Sequence, residues 1–478
     1  MPTVWFCLRR SASWALVVLL ASGCRLKSPP TLAELVPQAL PTTTIADAWV
    51  AAPADTALPL DGWIASFRDS VLAELVHEGI ASNTDLRASL ARVEQAAASV
   101  RIAGGKMYPA VDAVAHGGLG LGGDGSGLNA ALLQAAWEMD FWGKIRYGRA
   151  AVTETYGSRI LAHAFARRSL AAAIAKSWFL LTEGSLQVRL AREAAVAADS
   201  VLNLVLVRQR VGQSNEQEVA VARADLFTYR DAIIRLEQAN AEAARALEVL
   251  LGRYPAGRLA GGVSLDSTPA GVPSGLPSAL LERRPDILAS ERQVAAAFYR
   301  TKEADAARLP SLSLTASFGA ISSDFLQLQE DFSNPVLGLG LNLFAPLFRG
   351  GALKAQVDLR TAEQKEAMAN YGGVVLRAFS EVENALGAET RLREREGLLQ
   401  QVVTENARGV ELGRVQYRVG TGNLLSVQQQ QLRLYSAQTA LLRIQSERLI
   451  QRVNLHLALG GDFIPAPPPA DSTSAAPR

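Results

Sequence analysis

Arg210-Val211-Gly212-Gln213-Ser214-Asn215, with Val219 and Leu226 beyond it, returns 208 residues later as Arg418-Val419-Gly420-Thr421-Gly422-Asn423, with Val427 and Leu434. The same offset carries Arg235 to Arg443, Leu247 to Leu455 and Leu251-Gly252 to Leu459-Gly460. Upstream, an offset of 201 carries Asp85-Leu86, Ala88, Val93 and Tyr108-Pro109 to Asp286-Ile287, Ala289, Val294 and Leu309-Pro310. A register held without a gap over such spans means two copies of one structural unit.

Around each Val-Gly the local chemistry is that of a helix ending and another beginning. Gly212 and Gly420 stand where a helix C-terminus wants a residue tolerant of positive φ. Ser214-Asn215 and Thr421 to Asn423 then offer caps for the next helix. Before each turn, residues 145–208 and 352–417 read as helix, sixty-odd residues giving a rod of roughly 100 Å. Gly184 and Gly372-Gly373 are candidates for local bends in those rods, though glycine alone does not prove a bend. After each turn run paired seven-residue stripes: Val219, Leu226, Ile233 beside Phe227, Ile234, Ala241, and Val427, Leu434, Leu441 beside Tyr435, Leu442, Leu449. Two adjacent stripes predict antiparallel coiled-coil packing with more than one neighbour. Helical patterning also spans Ser70 to Lys106, stopped by Pro109.

Between the first helix and the long one, each copy holds a hairpin, at about 110–141 and 311–344. The second is clearer. Leu312, Leu314, Ala316 and Phe318 alternate with Ser311, Ser313, Thr315 and Ser317; Leu337, Leu339, Leu341 and Leu343 alternate with Gly338, Gly340 and Asn342. Strict period two, one face apolar and the other small or polar, is a strand pattern. Four such strands cannot close a barrel, and open sheet edges are not tolerated in lipid. Three chains would supply twelve strands, a closed barrel with a lumen; two would supply eight, with little lumen. The small residues Ser313, Gly338 and Gly340 suit an open interior.

Composition agrees with an ordered, helix-rich chain: 478 residues, 49% apolar, 20% charged and 6% aromatic. Net charge is +2, and removing Arg9 and Arg10 with a cleaved leader would make it 0. Nothing resembles the concentrated basic face of a nucleic-acid binder. Arg9-Arg10, the apolar run Trp14 to Leu20, then Ala21-Ser22-Gly23-Cys24, form a secretory leader. Cys7 would leave with it, so Cys24 alone would remain, without a disulfide or thiolate metal cage. No later stretch supplies the roughly 18 to 20 apolar residues of a membrane-spanning helix.

Five residue groups carry a family resemblance. Trp63-Ile64-Ala65-Ser66-Phe67-Arg68-Asp69 with Leu72 and Leu75, and Leu281-Glu282-Arg283-Arg284-Pro285-Asp286-Ile287 with Glu291, are similar to family signatures. Trp137 to Lys144 and Pro346 to Gly351 resemble its strand-to-helix junctions, and Gly23-Cys24 resembles a bacterial lipoprotein signal. The chain resembles the TolC-type outer-membrane efflux channels, in the NodT-like lipoprotein branch of RND efflux systems. The resemblance implies an α+β membrane protein, with long antiparallel coiled-coil helices forming an α-barrel tunnel. Four β-strands per chain would contribute to a 12-stranded trimeric β-barrel. It implies cleavage and lipid attachment at Cys24, with Arg25 suiting outer-membrane sorting in a Gram-negative cell. Its implied partners are two sibling chains, outer-membrane lipid, a periplasmic adaptor (membrane fusion) protein and an RND-type pump. Small molecules, whether drugs, toxic compounds or metal ions, would pass through it.

Carried over residue by residue, the adaptor-contact tips are Val211, Gly212 and Gln213 with Val419, Gly420 and Thr421. Relatives commonly carry acidic residues just after the second tip. Here those positions are Ser426 and Gln429, with Glu218 at the first-copy equivalent of Ser426. A neutral constriction would narrow the mouth without concentrating cations.

The expected plan is a signal peptide over 1–23, an extended tether over 24–62 and a first repeat over 63–255. A linker over 256–277, a second repeat over 278–462 and a disordered tail over 463–478 complete it. Gly118, Gly120 and Gly123 spell G-x-G-x-x-G, but sit among further Gly and Ser as in a hairpin loop rather than a βαβ unit. His77, His116, His163 and His456 have no ligand spacing. No nucleophile elbow or P-loop is present, so neither catalysis nor a cofactor or metal is expected. A duct for type I protein secretion and a lipid-anchored coiled-coil scaffold without a pore are the competing readings.

Overall fold

The computed structural model describes residues 26–51, 61–116, 129–265, 271–322 and 336–464. The leader, Cys24, the hairpin tips with Gly118, Gly120 and Gly123, and residues 465–478 lie outside the described residues. In chain order the elements are α1 (Leu32–Ala39), α2 (Trp63–Ser66), α3 (Ser70–Ser82), α4 (Thr84–Gly105), β1 (Ala110–His116), β2 (Asn129–Met139), α5 (Lys144–Arg210) and α6 (Glu216–Leu250). Then follow α7 (Pro277–Arg283), α8 (Pro285–Ala306), β3 (Ser311–Ser322), β4 (Val336–Phe344), α9 (Ala352–Arg418) and α10 (Leu424–Ala458).

The duplication extends to element lengths. α4 and α8 each have 22 residues, α5 and α9 each 67, α6 and α10 each 35. Both long helices continue as helix through the candidate bends at Gly184 and Gly372-Gly373. Gly184 is small for a different reason: a Cβ there would stand 2.6 Å from Asn240 Oδ1 on α6. At Gly372 a Cβ would stand 2.9 Å from the Ala39 carbonyl oxygen, so the N-terminal segment reaches α9 only because that position lacks a side chain.

The chain divides into two compact units. One is built on residues 91–162 and 286–374 with the segment up to Thr43 and holds the sheet. The four strands lie in the order β1-β2-β3-β4, every neighbouring pair antiparallel. The other is built on 44–90, 163–285 and 375 onward. Its core gathers Trp63, Ile64 and Phe67 from α2 and the turn after it, Leu72, Leu75 and Val76 of α3, and Ile174, Trp178 and Leu181 of α5. Leu247 of α6 and Leu449 and Val453 of α10 complete it. This is what the Trp63 to Asp69 motif builds: Trp63, Ile64 and Phe67 are buried, while Asp69 caps α3 by accepting from Leu72 N. The other Asp69 oxygen accepts from Trp178 Nε1 at 2.7 Å.

Two expectations are corrected. The helix expected over Ser70 to Lys106 is two helices, because Asn83 ends α3 in an extended conformation and its Oδ1 accepts from Leu86 N to start α4. Residues 26–51, expected as part of an extended tether, instead include the helix α1 and buried side chains. Thr31 and Glu34 form a capping box for α1, and Leu35 and Leu40 are buried. In the other unit, Trp49 is buried and donates Nε1 to the carbonyls of Ser274 and Gly275, while Glu383 accepts from the backbone N–H of Val50 and Ala51.

Candidate functional site

Strand register decides what the sheet can do. Directly paired residues share a face, and the pairs Met139–Leu312–Leu343, Trp137–Leu314–Leu341, Ala135–Ala316–Leu339 and Leu133–Phe318–Leu337 run across three strands. Val111 and Ala113 continue the same rows on β1, opposite Ala135 and Leu133. One face is therefore apolar throughout, and its leucines on β4 are exposed, Leu339 at 77%. The other face carries Asp112, Gln134, Glu138, Ser313, Thr315, Ser317, Gly338, Gly340 and Asn342, with Val114 paired to Leu132 farther along and Phe344 at the strand end. It is small because it has to be: a Cβ at Gly338 or Gly340 would approach Ser317 Oγ or Thr315 Oγ1 within 2.7 Å. Among the described residues β1 and β4 are open edges.

At the sheet's end a second apolar feature appears. Asp140 accepts from the backbone N–H of Ile145 and Arg146 and from Arg146 Nε, fixing the start of α5. Trp142 donates Nε1 to the Pro310 carbonyl at 2.7 Å. Phe141 and Trp142 remain exposed, as do Leu347 at 95% and Phe348 at 88%. Leu26 and Lys27 arrive here: Lys27 N donates to Tyr147 Oη, and a Cβ on Gly143 would stand 3.2 Å from Leu26 Cδ2.

The Val-Gly turns form the other candidate site. Gly212 and Gly420 have φ of 75° and 83°, and nothing lies within 4 Å of a Cβ at either. Glycine is there for the backbone, not for space. Val211 and Val419 are exposed, as are Gln213 and Thr421. Asn215 and Asn423 cap the following helices, accepting from Glu218 N and Ser426 N at 2.9 and 2.8 Å. The structure brings the two turns together on one core of Val205, Val219, Ala222, Tyr417, Leu424 and Val427. Arg208 bridges them, donating to the Tyr417 carbonyl at 3.1 Å with its guanidinium 4.6 Å from the Tyr417 ring centre. Burial pushes the Tyr417 phenol above its ordinary range; Arg208 opposes that shift and Glu218 adds to it.

Of the constriction candidates, Gln429 is exposed, while Ser426 and Glu218 are engaged locally. Ser426 Oγ accepts from Gln430 Nε2 at 3.3 Å, and Glu218 accepts from Ser214 Oγ.

Arg284 has a structural role that motif reading did not disclose. It is 2% exposed, donates from Nη1 to Glu381 and to the Ala458 carbonyl, and so covers the end of α10. Asn83, at the equivalent place in the first copy, donates Nδ2 to the Leu250 carbonyl at the end of α6. Two residues earlier in each helix, Glu248 and His456 occupy equivalent buried positions. Glu248 is held below the usual carboxylate range by the N–H of Gly257 first, then those of Arg258 and Leu259. His456 instead stacks on Trp63, ring centres 5.7 Å apart.

A family model described as outer membrane efflux protein matches residues 75–253 and 276–461, one stretch in each repeat. The chain belongs to the outer membrane efflux protein family. Pyoverdine export outer membrane protein OpmQ of Pseudomonas putida is 32% identical over 457 residues, covering 92% of this chain and 95% of OpmQ. The probable efflux pump outer membrane protein TtgC of the same species is 30% identical over 475 residues, covering 94% and 95%. The crystal structure of CusC, named a cation efflux system protein in Escherichia coli, superposes with a TM-score of 0.77 at 26% identity over 88% of this chain and 99% of CusC. The efflux-protein fold read from the duplication, long coiled-coil helices with four strands per chain, is the fold of these relatives. As a family member the chain is an outer-membrane efflux component. The family is one of channels, not enzymes.

Proposed function

We propose that three copies of this chain close into one duct, which passes small molecules handed over by an inner-membrane RND-type pump and a periplasmic adaptor. The observation that carries this reading is the four-stranded sheet with one exposed apolar face, one small polar face and two open edges. Such a sheet is satisfied in lipid only when its edges are paired in a closed barrel. Three copies make twelve strands, with the leucine rows toward lipid and Ser313, Gly338 and Gly340 toward water. The chain is a passive route; partners supply the energy.

In this reading the exposed Val211 and Val419 tips, with Gly212, Gln213, Gly420 and Thr421, meet the adaptor. Gln429 narrows the periplasmic mouth with an uncharged amide, Ser426 and Glu218 lying close to it in sequence or repeat position. Cys24 carries the lipid anchor. Leu26, two residues later in the chain, packs against Gly143 at the end of the sheet, where Phe141, Trp142, Leu347 and Phe348 are exposed. That belt of aromatic and apolar side chains suits the boundary between headgroups and hydrocarbon.

Planar-bilayer reconstitution tests the proposal. Discrete conductance with weak cation preference, little changed by Gln429→Ala, is the expected result. Silence from a folded, assembled protein would refute the duct. Strong cation preference abolished by Gln429→Ala would refute the neutral constriction.

A further inference from the structure

Above the tip core, α6 and α10 part to leave a groove of about 460 Å³, floored by Ala198 and Val201 of α5. That volume is in the range of sites for drug-sized ligands. Its lining has more unsatisfied polar chemistry than a coiled-coil seam needs. Gln428 lines the groove, is 8% exposed, and neither its Nε2 nor its Oε1 has a hydrogen-bond partner among the described residues. Gln431 Nε2, also in the lining, is likewise buried without a partner. Orphaned buried amides are rare in native proteins, and each calls for a missing partner.

The charges point to what that partner is. Asp225 lines the groove half-buried and makes no ion pair among the described residues. Asp231 and Arg235, also in the lining, carry opposite charges. Beside Asp225, Tyr229 meets Tyr435 edge to face with ring centres 5.4 Å apart, giving an aromatic wall. Leu425, Leu432 and Val221 supply exposed apolar surface along the same groove. Gln429 lines it too, so the groove opens beside the proposed constriction. The other repeat has Arg433 and Ala437 where this one has Asp225 and Tyr229, so the duplication does not generate a second copy of the feature.

We infer that this groove holds an amphiphilic organic amine in transit: a cationic nitrogen against Asp225 and the tyrosines, amide contacts from Gln428 and Gln431, and an apolar body along Leu425 and Leu432. A carboxylate and aromatic faces together favour a cation. The amides accept and donate at once, so they hold a ligand bearing N–H and carbonyl or ether groups. Burial raises the Asp225 carboxyl above its ordinary range, a shift that a bound cation would reverse. The inference rests on the duct reading and specifies a substrate class for it.

The test uses the full-length assembled protein in detergent and fluorescence anisotropy with the aromatic cation rhodamine 6G. The neutral dye N-phenyl-1-naphthylamine is measured in parallel. Wild type binds rhodamine 6G, and Asp225→Asn weakens it about tenfold or more, the loss expected for one charged hydrogen bond. Gln428→Leu also weakens binding while leaving Tm unchanged or higher, because it removes a buried unsatisfied amide; a purely structural Gln428 would lower Tm instead. The neutral dye is indifferent to Asp225→Asn. Equal rhodamine affinity in wild type and both variants overturns the inference. So does binding seen only in dissociated chains, which would mean that a second copy covers the groove. Bilayer conductance of the same samples separates the readings: conductance intact with no dye binding sinks the site alone, and absent conductance sinks the duct.

Discussion

Replacing Leu339 by Arg distinguishes a lipid-facing sheet from any other use of those strands. Leu339 lies five residues before Phe344, the end of β4. At about 3.3 Å per residue it is roughly 17 Å along the strand. With the 35–45° tilt of membrane barrels it stands about 12–14 Å above the strand end, near the middle of an apolar band about 25 Å tall. An arginine there costs about 2–4 kcal/mol per chain, so about 6–12 kcal/mol for three chains. Leu343→Arg, one residue from the strand end, costs about 0–1 kcal/mol per chain. Asn342→Arg, on the opposite face, leaves assembly unchanged and alters conductance instead. The assay is urea-dependent folding into short-chain lipid vesicles, read as the fraction migrating as folded oligomer. The expected order of loss is Leu339→Arg far above Leu343→Arg, with Asn342→Arg like wild type. Equal loss at positions 339 and 342, or none at 339, would refute the face assignment.

Three further outcomes follow from the helical unit. Burial, with Arg452 adding to it, holds the His456 imidazole down to about 4, against an ordinary 6.5. The unfolded chain then binds more protons between those values, so stability is full above pH 6.5 and falls as pH drops toward 4. The loss reaches about 3 kcal/mol, and a Tm series should flatten over that window in His456→Leu. Arg284→Met leaves the Ala458 carbonyl and Glu381 without this partner and should cost about 2 kcal/mol or more in denaturant titrations, while Asn83→Ala, its counterpart, should cost about 1–3 kcal/mol. At the tip, Val419→Asp should leave Tm within about 0.5 kcal/mol of wild type, as for other exposed positions. It should nevertheless abolish efflux in cells expressing the pump and adaptor; retained efflux would exclude Val419 from the docking contact.

The parts legible in the sequence are those fixed by local periodicity. β3 and β4 announce themselves because Leu alternates with Ser and Gly. β1 and β2 share that apolar face but fill it partly with Ala113, Ala131 and Ala135, whose weak contrast hides the alternation. The tip turns are legible because Gly212 and Gly420 answer a backbone need that leaves a sequence trace. The N-terminal segment was obscured by its prolines: Pro37 lies inside α1, and the burial of Leu35 and Trp49 depends on distant partners. Glycines that permit close approach, as at 184 and 372, look like glycines that permit bends until the neighbouring Asn240 or Ala39 is seen. Arg284, Asn83 and the Glu248–His456 exchange were invisible for a related reason. The repeat keeps the position while changing the chemistry that satisfies the helix end.

The number of chains in the assembled particle most directly tests the idea that a single molecule carries only part of a barrel. Native mass spectrometry of the protein released from outer-membrane extract should give three copies of the mature chain in one closed assembly. A stable single chain, its strand edges satisfied without siblings, would contradict it.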